Sequence, residues 1–440
     1  MRIAAPLTTI RATARGCDSM KIAVWSGSGI GGTEKAATLY AAGLARRGHA
    51  VDFLGPRGPR TLSLEQHGVA VLGIAQDARQ LLEYLRTRRP DVVHQHVPGY
   101  AMPNPLYEVW PELPPPKPAL IETNVFGRVE DRTGEQLVQF RLFISKASAA
   151  QAFRRQGRVM TPESLRCQSV VYYPVEPATD PDPAARAALR QALDIGEHEV
   201  LAIRVGQKSP VKWRTWECQA HALARRRMPG LRLLLMEPPD EIQRAVEQGR
   251  FGPGILVRPA TSDFAWLQTL YQAADVMIHA SDFGESFGYT LAEAMAAGLP
   301  VIVRTTPWGD NAQVELVENG VIGCVCASVP EMARRLAELA GDAPRRAAWG
   351  QAGRARILRL ACPETEVTVL EAVLHQVCGG QPGPLLDQRA TDLLAFARGF
   401  ARREWAVSEG RWVHPLDYAG ARLHDFYRRC RRIAGKLRSR

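Results

Sequence analysis

The sequence predicts an α/β protein of two doubly wound domains that face each other across a cleft. Three observations carry this. Lys21-Ile22-Ala23-Val24-Trp25 is a short apolar run that ends in Ser26-Gly27-Ser28-Gly29-Ile30-Gly31-Gly32 and leads into an Ala- and Leu-rich stretch at 33–47, which is strand, glycine loop and helix. Strand-like and helix-like runs then alternate, the pattern of a parallel sheet covered by helices. After the proline-rich segment 174–183, which has the composition of a linker, the alternation starts again. In sheets of this kind ligands bind beyond the C-terminal ends of the strands.

Taken in order, residues 1–19 form an extension ahead of the first strand, and Met20 is the expected true start. The first domain, 20–180, continues with strands at 50–54, 91–94, 119–122 and 143–145 and a helix around 78–89. The second, 181–362, has strands expected at 200–205, 231–236, 254–257, 276–279 and 300–303, with helices between them. Residues 363–440 are a helical extension. Its end carries Leu423, Phe426, Tyr427, Cys430, Ile433, Ala434 and Leu437 at three- and four-residue steps, with arginines over much of the remaining surface, which is a basic amphipathic helix. Residues 421–440 are therefore expected either to dock on an anionic membrane surface or to pack back on the first domain.

Composition narrows the function. Of the net charge of +11, the first nineteen residues carry +2 and residues 389–440 carry +8, which leaves the body close to neutral. A nucleic-acid groove along the body is disfavoured, and no nucleic-acid partner is expected. No apolar run is long enough to span a membrane, and the first residues have no continuous apolar core of a secretory signal. The eight cysteines show neither C-x-x-C nor zinc spacing, so they read as reduced thiols of a cytoplasmic protein, and no metal ligand set is recognised.

Two segments carry the chemistry. Gly31-Gly32-Thr33-Glu34 opens a helix after a strand, where glycines let the backbone approach a phosphate at the positive helix end. A tight turn with no ligand fits the same residues. In 274–302 a strand, a loop, a helix and a strand follow one another, and Glu285 and Glu293 flank a helix expected to begin near Gly288. At about 1.5 Å rise per residue the two carboxylates stand roughly 10 Å apart, comparable to the span from a hexose to a ribose across a diphosphate.

These residues show a resemblance. Ser281, Glu285-Ser286-Phe287-Gly288 and Glu293-Ala294-Met295-Ala296-Ala297-Gly298-Leu299-Pro300-Val301 resemble the E-x7-E signature of retaining glycosyltransferases of family 4, which have the GT-B fold. The resemblance extends back to the Gly31-Gly32 loop and forward to Glu315, and covers roughly 20–375. It implies that Glu285 accepts hydrogen bonds from donor-sugar hydroxyls, aided by the backbone N–H groups of Phe287 and Gly288, and that Glu293 holds the ribose hydroxyls. The family's Arg and Lys phosphate pair falls on Gln207 and Lys212, so Lys212 fits and Gln207 departs, leaving Arg204 or Lys208 to meet the remaining diphosphate charge. His96 matches a position on the acceptor side and is expected to be catalytic together with Glu285 and Lys212, and Asn124, on the acceptor side as well, stands where a second His is usual. Asn311 and Gln313 follow a later strand, where they could read a hydroxyl or form a capped loop.

The implied activity is a metal-independent, cofactor-free retaining glycosyltransferase. It would move a sugar from a nucleotide diphosphate sugar to a surface glycan, such as a polysaccharide or lipopolysaccharide, or to a lipid-linked acceptor, in the cytoplasm or at the inner membrane face. The alternative is a non-catalytic nucleotide-sugar-binding or scaffold protein of glycan assembly.

Overall fold

The computed structural model describes residues 19–26, 31–58, 60–100, 102–129, 134–180, 182–209, 212–307 and 309–405. The first half of the glycine loop, Trp308 and the basic helix expected at 421–440 lie outside the described residues.

The first domain runs β1 (Lys21–Trp25), α1 (Gly32–Arg46), β2 (Ala50–Phe53), α2 (Leu62–Gln66), β3 (Ala70–Val71), α3 (Ala78–Arg88), β4 (Val92–Val97), α4 (Pro105–Val109), β5 (Ala119–Asn124), β6 (Phe140–Phe143), α5 (Lys146–Arg155) and β7 (Gln168–Val170). Its sheet has the order β3-β2-β1-β4-β5-β6-β7, and every pairing is parallel. The second runs α6 (Pro183–Ala192), β8 (Val200–Val205), α7 (Trp216–Arg225), β9 (Leu231–Met236), α8 (Asp240–Glu247), β10 (Ile255–Arg258), α9 (Phe264–Ala273), β11 (Val276–His279), α10 (Tyr289–Ala296), β12 (Val301–Arg304), α11 (Gln313–Leu316), β13 (Gly323–Cys326), α12 (Val329–Gly341) and α13 (Ala343–Leu360). Its sheet, β10-β9-β8-β11-β12-β13, is parallel throughout.

Strands such as β4 and β8 are buried along their whole length, because helices cover both faces of each sheet. That is why β8, VLAIRV, reads as a near-continuous apolar run, whereas β4 buries His94, Gln95 and His96 among its valines. The strand order reverses between β1 and β4 and again between β8 and β11, so the crevice beyond those strand ends is the place for a ligand in each domain.

Two helices follow, α14 (Pro363–Val377) and α15 (Pro384–Trp405). They return to the first domain, where α14 packs on α1 and α15 on α5 and β7. A Cβ on Gly43 would come within 2.5 Å of Val367, so the close approach of α1 and α14 requires a glycine. The strand expected at 143–145 lies earlier, at Phe140–Phe143. Ser145 instead caps α5, its hydroxyl accepting from the Ser148 N–H at 3.0 Å. The short strands β3, β7 and β13 were not expected; all are outermost in their sheets. The proline-rich segment is no free tether, since Val175 and Ala178 are buried and the Val175 N–H donates to the Ala361 carbonyl at 2.9 Å. Among the described residues no helix is long and apolar enough to cross a membrane.

Candidate active site at the interdomain cleft

The loop between β11 and α10 carries Glu285. It is held from behind by the 305–313 segment: the Glu285 N–H donates to Gln313 Oε1 at 3.0 Å and its carbonyl accepts from the Ala312 N–H at 2.8 Å. Gly284, at φ +70°, passes so close to the Asp310 carbonyl that a Cβ would stand 1.5 Å from its oxygen, so only glycine serves here. Gln313 and Asn311 are each 1% exposed, and their amides bond within the loop to Arg304 and Thr306. Of the two readings open for them, the capped loop is the one found, because these amides brace the Glu285 loop.

Glu285 is 9% exposed. One oxygen accepts from His279 Nε2 at 3.0 Å, and the other faces Lys212 Nζ at 3.6 Å. Burial alone would raise its pKa, but Lys212, His279 and Arg204 together outweigh burial and hold it down to about 2. Burial also depresses His279, to about 4. At neutral pH the pair is thus a neutral imidazole donating to a carboxylate.

Lys212 sits on the loop after β8, and that loop is fixed from below. Arg204, 0% exposed, pairs with Glu217 at 2.9 Å and donates through Nη2 to the Lys212 carbonyl at 2.9 Å. Trp213, buried under this loop, donates to the Gln207 carbonyl at 3.0 Å. Arg204 therefore positions the loop and is too enclosed to meet a diphosphate, which corrects its expected role. Lys208 turns to Asp240 on α8, at 2.5 Å. Of the three candidate cations, Lys212 is the one facing Glu285.

Helix α10 begins after Gly288, which adopts the left-handed conformation at φ +92°, and no side chain caps the helix. Its first-turn N–H groups have no capping side chain, a setting suited to an anion. The Phe287 ring is buried among Tyr172, Tyr173 and Tyr289. Gly31 caps α1 from the opposite domain, and Gly32 lies so close to Tyr289 that a Cβ would meet the ring at 2.8 Å. The N-terminal ends of α1 and α10 thus converge. The Gln207 amide reaches the same place, 3.4 Å from where a Cβ on Gly31 would sit.

Glu293, in the middle of α10, bonds to Lys35 Nζ at 2.8 Å and accepts from the Tyr271 hydroxyl at 3.2 Å. Lys35 comes from α1 of the other domain, 258 residues away, and its role escapes sequence reading; its place one turn into the helix after the glycine loop was the available signal.

On the first-domain side, His96 is 3% exposed, and among the described residues neither ring nitrogen has a hydrogen-bond partner. Its ring lies 4.3 Å from that of His94. Burial lowers its pKa to about 3, so it stays neutral and transfers no proton near neutrality, a correction to the catalytic role expected of it. Asn124 is wholly buried, its amide donating to Glu122 and to the Arg128 carbonyl beneath Gly99. It supports the loop and does not present itself to an acceptor.

Glu315 is likewise structural. It accepts from the Ala147 N–H at 2.9 Å and the Tyr172 hydroxyl at 2.6 Å, tying the second domain to the first.

Residues 200–342 match the family described as Glycosyl transferases group 1, and this stretch contains Lys212, Glu285 and Glu293. A glycosyltransferase from Rickettsia africae superposes with a TM-score of 0.66 at 14% identity, covering 83% of this chain and 100% of that one. The fold is GT-B. A second GT-B structure, Anabaena HepE in complex with UDP-glucose, superposes with a TM-score of 0.63 at 18% identity over 81% of this chain and 100% of that one. In sequence, a D-inositol 3-phosphate glycosyltransferase from Segniliparus rotundus is 28% identical over 211 residues, a match that spans 46% of each protein.

Proposed function

We propose that this chain is a retaining glycosyltransferase of the family 4 type that moves a sugar from a nucleoside diphosphate sugar to a surface glycan or glycolipid acceptor. The observation that carries the proposal is the meeting of the Glu285 carboxylate and Lys212 at 3.6 Å beside the uncapped start of α10, with Glu293 in the middle of that helix. HepE, a structural neighbour, holds UDP-glucose, and the relative named as an inositol phosphate glycosyltransferase transfers to a phosphorylated polyol, which supports a nucleotide donor and a hydroxyl acceptor.

In this reading Glu285 accepts from donor-sugar hydroxyls, and Glu293 exchanges Lys35 and Tyr271 for the ribose hydroxyls. Lys212 and the N-termini of α1 and α10 meet the charge that grows on the diphosphate as the glycosidic bond breaks, without a metal. The departing phosphate takes the acceptor's proton, because burial leaves His96 too weak a base to take it.

The experiment is turnover of a panel of nucleotide sugars by the purified chain, with the anomeric configuration of the product read by NMR. Transfer or hydrolysis with retained configuration is expected. Inversion would refute the retaining mechanism, and absence of turnover with intact donor binding would favour a non-catalytic binding protein.

A further inference from the structure

A second cavity lies away from the Glu285 cleft, beside the hinge where the chain crosses between domains. The outgoing crossing follows Tyr172 and the returning one follows Leu360, and the Val175–Ala361 hydrogen bond ties the two together. The cavity, of about 320 Å³, is lined by Lys146, Tyr172, Arg356, Arg359, Arg389 and Asp392, with Val170 and Leu360 as its apolar wall. Four cations meet one carboxylate there. They come from three parts of the molecule: Lys146 from the first turn of α5, Arg356 and Arg359 from the end of α13, and Arg389 from α15.

Like charges gathered in one cavity repel unless something neutralises them, and the protein supplies only part of what is needed. Arg389 is paired with Glu366 at 2.5 Å. Arg356 is oriented by the carbonyls of Leu316 and Glu315, at 2.9 and 2.7 Å, and its nearest carboxylate, Glu318, stands at 4.0 Å. Among the described residues, Arg359 has no carboxylate within ion-pair distance, and Lys146, whose charge acts on the buried Glu315, forms no ion pair with it. Lys146 rests over the Phe396 ring, 5.5 Å from its centroid. Asp392 is engaged with Gln388 at 2.9 Å. Two guanidinium groups held in place, with two further cations at hand, form the donor set that recognises phosphate oxygens.

We infer that this cavity is a binding site for a small phosphate-type anion, of orthophosphate to diphosphate size. The volume sits at the lower end for ligand pockets, which suits such an anion better than a whole nucleotide sugar. Because its ligands belong to both domains and to α15, a bound anion would tie together the segments that meet at the hinge. The inference stands apart from the proposed transfer reaction.

The test is calorimetric titration of the full chain with sodium pyrophosphate at constant ionic strength. The wild type is compared with Arg359→Glu, Lys146→Ala and Lys212→Ala, with circular dichroism confirming that each variant is folded. Binding is expected to persist in Lys212→Ala, whose substitution lies in the cleft, and to weaken at least tenfold in Arg359→Glu and measurably in Lys146→Ala. The inference is overturned if pyrophosphate does not bind, if binding disappears in Lys212→Ala, or if Arg359→Glu and Lys146→Ala bind as the wild type does.

Discussion

At the scale of single residues, the cleft is organised by one carboxylate and one ammonium group. Glu285 is buried, which would ordinarily favour its protonated form, yet Lys212 and its neighbours keep it ionised down to about pH 2. A carboxylate so stabilised is an acceptor throughout the physiological range and cannot serve as a general acid there. Lys212 has a second task in the proposed reaction, because charge on a leaving diphosphate grows toward the transition state. Lys212→Ala is therefore expected to lower kcat by about 10²–10³-fold, the usual size of losing one preorganised electrostatic donor, and to change donor affinity less. Steady-state kinetics with separate kcat and KM check this, and a wild-type kcat would show that the phosphate-facing cation has been assigned to the wrong residue. The Gln207 amide, at the place where the two helix ends converge, leaves room for a second cation, and Gln207→Arg is expected to keep the activity.

At the scale of elements, the returning helices α14 and α15 bind the C-terminal part of the chain to the first domain through a buried acid. Glu366 accepts from the Tyr172 N–H at 2.8 Å and pairs with Arg389. Burial raises its pKa from 4.5 to about 7, since the cost of enclosing the charge exceeds what Arg389 returns. The folded state thus holds a proton that the unfolded chain releases near its ordinary pKa. Stability from this group is present in full below pH 4.5 and is lost as pH rises toward about 7, with no further loss above. The wild type should lose about 1–3 kcal/mol over this window through this residue, and Glu366→Gln should not. Denaturant unfolding at several pH values measures the difference, and identical pH dependence in both proteins would contradict it.

Much of this architecture was legible in the sequence because buried parallel strands announce themselves as apolar runs and because 281–301 is one continuous block. Glu285, Glu293 and the start of α10 at Gly288 followed from that block alone. Contacts between distant segments were not legible. The Lys35–Glu293 pair and the Ala147–Glu315 bond join residues 258 and 168 positions apart, and no local pattern marks either. Burial was the other blind spot: Arg204 and Asn124 have the right chemistry for a ligand, and only the packing around them shows that it is spent inside the protein. Strands β3 and β7 were missed for a simpler reason, since strands of two or three residues offer too few positions for a periodicity to show.

At the scale of the whole molecule, the account rests on a donor site that spans both domains, with Glu293 exchanging a lysine of the first domain for the ribose of the donor. Calorimetric titration of nucleoside diphosphates and their sugars into the wild type and Glu293→Ala tests this most directly. The account predicts that at least one nucleotide binds the wild type, and that Glu293→Ala weakens it by about 1.5–3 kcal/mol, the range for losing charged hydrogen bonds. Equal affinity in the two proteins would contradict it.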